Sequence, residues 1–368
     1  MNNRVQFSQP NSEKMVDKFK IDSHKLTYHI RRVANWLEGK NVYPIYIEIA
    51  TAGACNHRCT FCSVDFMEYQ SRLLDAKILK ERITEMGRLG VKSIMYAGEG
   101  EPFLHKELSN IIVHTKQSGI DVAITTNGVL IKPGVPEKIL GSTEWIKVSC
   151  NAGTADSYAK IHQTKAKDFD IVINNLKHAV QVKKVEGYQC TLGLQLLLLP
   201  ENEHEVEGLA KIAQEIGLDY FVVKPYTHHS SNSHQFEVQY NNYAHLADKL
   251  SKLNTNDFSV IVRTTAMKKW DDKQRDYTQC QALPFWSYID AGGTVWGCSA
   301  HLLNEKFDYG NIIKQSFQEI WEGEKRQELS RWFEKEFDIT TCKLNCRMDE
   351  INRYLWELKH PPKHVNFI

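Results

Sequence analysis

The chain has 368 residues, 42% hydrophobic and 25% charged, enough for one or two domains with a sizeable core. Its 46 basic and 45 acidic residues leave a net charge of +1, which gives no electrostatic reason to expect nucleic acid or an anionic membrane as a partner. The start lacks the apolar stretch of a secretory signal, and the longest aliphatic run, Leu196 to Leu199, stops at Pro200 far short of a membrane span. A cytoplasmic protein is expected, and in a reducing cytosol its nine cysteines, seven of them grouped, point to metal or catalytic roles rather than disulfides.

Residues 1–44 read as a polar start and one helix. Asp22 or Ser23 is placed to cap it, Leu26, Ile30, Val33 and Leu37 repeat at helical spacing, and Gly39 ends it. From residue 45 to 265 short apolar runs alternate with amphipathic stretches. The expected strands are 45–50, 92–97, 121–126, 145–150, 191–199, 220–225 and 259–263, with helices such as 76–89 and 169–184 between them. That rhythm predicts an α/β fold with a parallel sheet whose chemistry sits at the carboxyl ends of the strands. Residues 266–368 are turn-rich, with a hairpin signal at Ala291-Gly292-Gly293-Thr294 and a final helix at 349–358, and read as a small second domain held largely by metal.

Cys55-Asn-His-Arg-Cys59-Thr-Phe-Cys62 follows directly on the first strand. Three thiolates this close can share one cubane cluster and leave its fourth iron open to a ligand. A zinc site would want a fourth ligand at conventional spacing, and His57 is badly placed beside the thiols. The C-x3-C-x-aromatic-C pattern, with Phe61 as the aromatic residue, resembles the signature of the radical S-adenosylmethionine (radical SAM) superfamily. The resemblance implies a partial (β/α)6 barrel, one [4Fe–4S] cluster and S-adenosylmethionine bound to the open iron, reduced to give a 5′-deoxyadenosyl radical. An external electron donor such as flavodoxin or ferredoxin is then required.

The resemblance extends along the barrel. Gly98-Glu99-Gly100-Glu101 ends the second strand, where the superfamily binds the amino group of methionine. Thr125 and Asn127 end the third strand, Ser149 and Asn151 the fourth, and these look like ribose and carboxylate contacts. Turn chemistry explains the same Asn and Gly residues. Strand alternation places Lys147, Ser149 and Asn151 on one face, with Val148 and Cys150 on the other. Polar residues within apolar strands, namely Glu48, Gln195, Lys224 and Tyr226, are expected to face the barrel interior. Gln195 is grouped with the cofactor contacts; Lys224, Tyr226 and His228 are grouped with the substrate.

Cys280-x12-Gly293-x4-Cys298 followed by Cys342-x3-Cys346 resembles the auxiliary-cluster domain called Twitch, the shortened form of SPASM. Four ligands imply one auxiliary [4Fe–4S] cluster closed by protein, although four thiolates suit structural zinc equally well. A closed cluster suits electron acceptance, whereas three cysteines would leave an iron to hold substrate, as in the molybdenum-cofactor branch. The expected function is therefore oxidation of a hydroxyl-bearing carbon in a sugar, sugar nucleotide, aminocyclitol or other polyol, with Arg263 at the substrate by similarity to a Twitch-bearing dehydrogenase. Epimerisation needs a hydrogen donor such as Cys150 or Cys190, which the alternation turns away from the interior. Peptide modification is the third enzymatic reading, disfavoured by the short segment before the barrel. A zinc-binding interaction protein is the non-enzymatic rival.

Overall fold

In the computed structural model, the residues described are 19–227, 229, 231–232, 236–343 and 346–367. Ten strands form one sheet: β1 (Tyr46–Ile49), β2 (Ser93–Tyr96), β3 (Asp121–Thr126), β4 (Trp145–Ser149), β5 (Thr191–Leu198), β6 (Tyr220–Pro225), β7 (Ser259–Val262), β8 (Trp286–Ile289), β9 (Thr294–Trp296) and β10 (Asp308–Asn311). The order is β10-β9-β8-β1-β2-β3-β4-β5-β6-β7. Strands β1 to β7 run parallel in chain order, because each connection contains a helix that crosses back over the sheet. This is the expected partial barrel, and all seven predicted strands form.

The helices follow their apolar spacing. In Ala76–Arg88, Asp75 caps the start by accepting from the amides of Lys77 and Ile78, and Leu79, Ile83 and Met86 are buried against the sheet. Lys167–Glu186 stops at Gly187, which takes the left-handed conformation that favours glycine. The helix-facing core holds Ile47, Ile94, Ile124, Val148, Leu194 and Phe221 at 2% exposure or less. Each such side chain contributes about 1.5–3 kcal/mol by leaving water.

Two local expectations fail. The first helix covers only Ile30–Leu37, preceded by a 3-10 turn, and His29 stands at its N-cap without a side-chain cap bond. Asp22 instead accepts from Arg263 and from the Thr265 amide, so its carboxylate fixes the end of β7. The hairpin after β8 forms as expected: the Asp290 carboxylate accepts from the amides of Gly292 and Thr294, and Gly293 has φ +84°. That hairpin belongs to the main sheet, since β8 pairs in parallel with β1.

Candidate active site and auxiliary cluster site

Cys55, Cys59 and Cys62 lie in the loop that leaves the carboxyl end of β1. The amides of Arg58 and Thr60 donate to the carbonyls of His162 and Ile161, which pins the loop to the end of the helix Ala155–His162. Asn127 Nδ2 donates to Asn56 Oδ1 at 2.7 Å, tying the same loop to β3. Burial pushes the Cys55 thiol up to about 12, and raises Cys59 and Cys62 as well. Mutual repulsion of the thiolates adds to the rise at Cys55 and Cys59. Three half-buried thiols, two of them opposed by their neighbours' charge, are a donor set that a multiply charged iron cluster would satisfy.

His162 was not singled out in the sequence. Its Nε2 accepts from the Asn151 amide at 3.0 Å, so the proton sits on Nδ1, which points at Cys59 Sγ 3.4 Å away. The ring also packs edge-on against Phe61. Complete burial drives its pKa well below the ordinary value, so the ring is neutral and the tautomer fixed. A Cys59-to-His162 contact across 103 positions leaves no local sequence signal.

The Gly98–Glu101 turn packs against the cysteine loop. A Cβ on Gly100 would stand 2.2 Å from the Ala54 carbonyl, so only glycine fits. Both carboxylates are already engaged. Glu99 takes a double contact from Arg72, at 2.9 and 3.1 Å from Nη2, and accepts from the Ala291 amide in the β8–β9 hairpin. Glu101 accepts from Thr126 Oγ1 at 2.6 Å and from the Asn127 amide at 2.8 Å. Both carboxylates therefore brace the turn that the resemblance assigns to the amino group of methionine. Asn151 is likewise committed: Oδ1 accepts from the Leu197 amide and its carbonyl from Asn202. Thr125 faces the interior with only a weak contact to Met95 Sδ at 3.5 Å. The side chains of Ser149 and Gln195, neighbours in register, have no hydrogen-bond partner among the described residues.

Four cysteines meet at the second site. Cys280, Cys298, Cys342 and Cys346 line one enclosed cavity together with His301 and Phe337. The amides of Ala300 and Met348 donate to Cys298 and Cys346, and Asn352 Nδ2 donates to Cys280, each at 3.4 Å. Arg275 holds the last loop through the carbonyls of Ile339, Cys342 and Lys343. Burial raises Cys280 to about 11 and Cys342 to about 12. Because Cys280 precedes β8 and Cys298 follows β9, this site lies at the amino ends of the parallel strands. The first site lies at their carboxyl ends.

The barrel interior is lined between those two ends by Glu48, Lys147, Ser149, Gln195 and Lys224, all on one face by register. Arg347, next to Cys346, reaches in to bind Glu48 and to donate to Tyr46 Oη at 3.2 Å. Arg263 closes the β7 side, held through Nε by Asp22 at 3.2 Å. Tyr226 is sealed from solvent, its ring edge against Phe236 at 5.1 Å, and burial pushes its hydroxyl up to about 12. His228 lies outside the described residues. Cys150 and Cys190 are buried on the helix side, away from the interior.

This geometry agrees with known protein families. Residues 49–213 match the model described as "Radical SAM superfamily", and residues 280–347 match the "Iron-sulfur cluster-binding domain" called SPASM. The chain thus carries a radical SAM domain followed by a C-terminal SPASM domain. Together the two domains imply a SAM-binding [4Fe–4S] cluster, S-adenosylmethionine and auxiliary iron–sulfur clusters. The probable GTP 3',8-cyclase of Saccharolobus solfataricus is 29% identical over 174 residues, 47% of this chain and 54% of that protein. The GTP 3',8-cyclase of Chlorobaculum tepidum is 27% identical over 189 residues, 50% and 55% of the two chains. The chain thus spans about half the length of these curated relatives. In fold it resembles Streptococcus suis SuiB bound to S-adenosylmethionine, with TM-score 0.64, 18% identity and coverage of 81% and 70%. It also resembles anSMEcpe with bound AdoMet, with TM-score 0.55, 16% identity and coverage of 86% and 95%. Among the described residues no helix is long and apolar enough to cross a membrane.

Proposed function

We propose that the protein oxidises a hydroxyl-bearing carbon of a small polar substrate, a sugar, sugar nucleotide or polyol, held inside the barrel between the two cysteine sites. Cys55, Cys59 and Cys62 would hold the SAM-binding cluster, and Cys280, Cys298, Cys342 and Cys346 the auxiliary one. When bound, these groups and S-adenosylmethionine supply a 5′-deoxyadenosyl radical on one side of the substrate and an electron acceptor on the other.

The chain's own part is to bind, orient and take a proton. Thr125, Asn127, Ser149 and Gln195 line the carboxyl end of the interior, where Ser149 and Gln195 keep free polar atoms for the cofactor. The backbone of the Gly98–Glu101 turn is left to meet an ammonium, since its carboxylates are engaged. Arg263 is oriented through Nε, which leaves its terminal nitrogens to hold a substrate hydroxyl. Desolvation first, and Lys147, Arg263, Arg347 and Lys343 next, hold the pKa of Lys224 well below its ordinary value, which favours the amine that would accept the hydroxyl proton.

The observation that supports oxidation most is the meeting of four cysteines around one closed cavity. Four ligands leave no iron for substrate, and such a cluster can only pass electrons. The burial of Cys150 and Cys190 outside the interior supports oxidation over epimerisation, which needs a hydrogen donor facing the substrate. The fold likeness to a structure titled SuiB bound to precursor peptide SuiA keeps peptide modification as the second reading. The test is anaerobic turnover with S-adenosylmethionine, a reduced flavodoxin and a panel of polyols and sugar nucleotides. Oxidation predicts one ketone or aldehyde per 5′-deoxyadenosine. Deuterium gained by recovered substrate in heavy water would instead show epimerisation, and a linked peptide would show maturation.

A further inference from the structure

The interior of the barrel carries more positive charge than the proposed oxidation needs. Lys147 on β4 and Lys224 on β6 point inward by register, Arg263 stands at the end of β7, Arg347 reaches in to Glu48 on β1, and Lys343 lines the neighbouring auxiliary cavity. Of the carboxylates around them, Glu48 is bound to Arg347 and Asp22 to Arg263. Lys147, Lys224 and Lys343 have no ion pair among the described residues. The Lys147 ammonium has only the Trp145 ring beneath it, at 5.3 Å. Arg347 remains 42% accessible although it lies against β1, so the cations border solvent-accessible space.

Like charges gathered inside a barrel repel one another and oppose folding. Natural sequences keep such an arrangement where a ligand neutralises it. The patch also lies deeper than the cofactor contacts. Lys147 is one inward step below Ser149, and Arg347 approaches from the amino end of the sheet, opposite the Cys55 loop.

We infer that the substrate is anionic and carries a phosphoryl group, held in the barrel by Lys147 beside Lys224. This deepens the proposed oxidation and rests on the interior being the substrate chamber. Lysine ammoniums act as point charges suited to phosphoryl oxygens. The same binding would complete the proton acceptor. Burial first, and then the surrounding cations, hold Lys224 well below its ordinary pKa. Lys147, held down to about 8 chiefly by burial and then by Arg347 and Arg263 against Glu48, is charged at pH 7 and ready for an anion. A phosphoryl group placed among these cations offsets their field and raises the proton affinity of Lys224.

The experiment measures binding of inorganic pyrophosphate to the anaerobic holoenzyme with S-adenosylmethionine present, by calorimetry, without turnover. Succinate at equal ionic strength is the carboxylate arm. The expected result is saturable pyrophosphate binding that weakens at least ~10-fold in Lys147→Met and is largely restored in Lys147→Arg. S-adenosylmethionine affinity stays at the wild-type level. Binding of succinate in place of pyrophosphate overturns the phosphoryl assignment. Absence of lysine-dependent binding overturns the anionic substrate. A parallel loss of S-adenosylmethionine affinity overturns it too, by giving the lysines to the cofactor carboxylate. Because no oxidation product is read, failure of the oxidative reading appears separately, as pyrophosphate binding without a ketone from any phosphorylated polyol.

Discussion

The two cysteine sites differ in how the chain builds them. Cys55, Cys59 and Cys62 fall within one loop, and that loop is held by groups other than the thiols: the carbonyls of Ile161 and His162, Asn127, and the glycine turn. Cys280, Cys298, Cys342 and Cys346 come from separate stretches, and their loops meet at the cavity the thiols line. A locally encoded site can leave a coordination position open because the fold already holds it. A site assembled from distant segments uses all its ligands and helps to hold the fold together. The first is therefore expected to lose chemistry when altered, the second to lose structure as well.

Cys59→Ala tests the first half of that contrast and has the largest expected effect. Substrate-free 5′-deoxyadenosine formation should fall to the background of protein without iron, roughly half of the iron should remain, and the circular dichroism should not change. Cys298→Ala tests the other half. It should still cleave S-adenosylmethionine, form no oxidised product, and open the segment after residue 280 to limited proteolysis, with a stability loss upwards of about 4 kcal/mol. Retained protease resistance would remove the structural role of the second site.

The brace between the glycine turn and the β8–β9 hairpin comes next. Arg72→Met leaves the Glu99 carboxylate buried at 2% exposure without its cation and should cost about 2–3 kcal/mol in denaturant unfolding. Adding Glu99→Gln should return part of that loss, and strict additivity would show that the two side chains do not act together.

Smaller effects sharpen the picture of the interior. Lys147 titrates at about 8 in the folded chain, below its ordinary value of 10.5. The stability linked to this depression is present above about 10.5 and is lost as pH falls through about 8. Lys147→Met should therefore make the substrate-free protein more stable by about 1–2 kcal/mol at pH 7, after allowance for solvent access, with the gain vanishing near pH 10.5. A loss of stability at pH 7 would contradict the unpaired state of Lys147. His162→Phe removes the N–H donor to Cys59, and should lower the midpoint potential of the first cluster by roughly 30–60 mV, the equivalent of a fraction of one hydrogen bond. An unchanged potential would reduce His162 to packing.

Much of this was legible in the chain. The strands announced themselves because each carries an uninterrupted apolar face between turn residues, and β3 and β6 form over the expected residues. Alternation along β4 correctly separated Lys147 and Ser149 from Val148 and Cys150, since a pleat admits only two directions. The hairpin glycine at 293 was legible because positive φ excludes most other residues. Interactions made by side chains far apart in sequence were not. Asp22 read as a helix cap but serves β7. Asn151 read as a ligand contact but ties β4 to β5, and Glu99 and Glu101 read as free carboxylates but brace their turn. Arg72, His162 and Arg347 carried no pattern at all, since each acts from a loop or helix end across the fold.

Mössbauer spectroscopy of iron-57-reconstituted protein, before and after addition of S-adenosylmethionine, tests the contrast between an open and a closed cluster most directly. About one iron in eight should change coordination on addition, and none should change in the Cys55→Ala, Cys59→Ala, Cys62→Ala triple variant, which keeps the second cluster. A change in that triple variant, or no change in the wild-type protein, would contradict the assignment of the vacant position to the loop after β1.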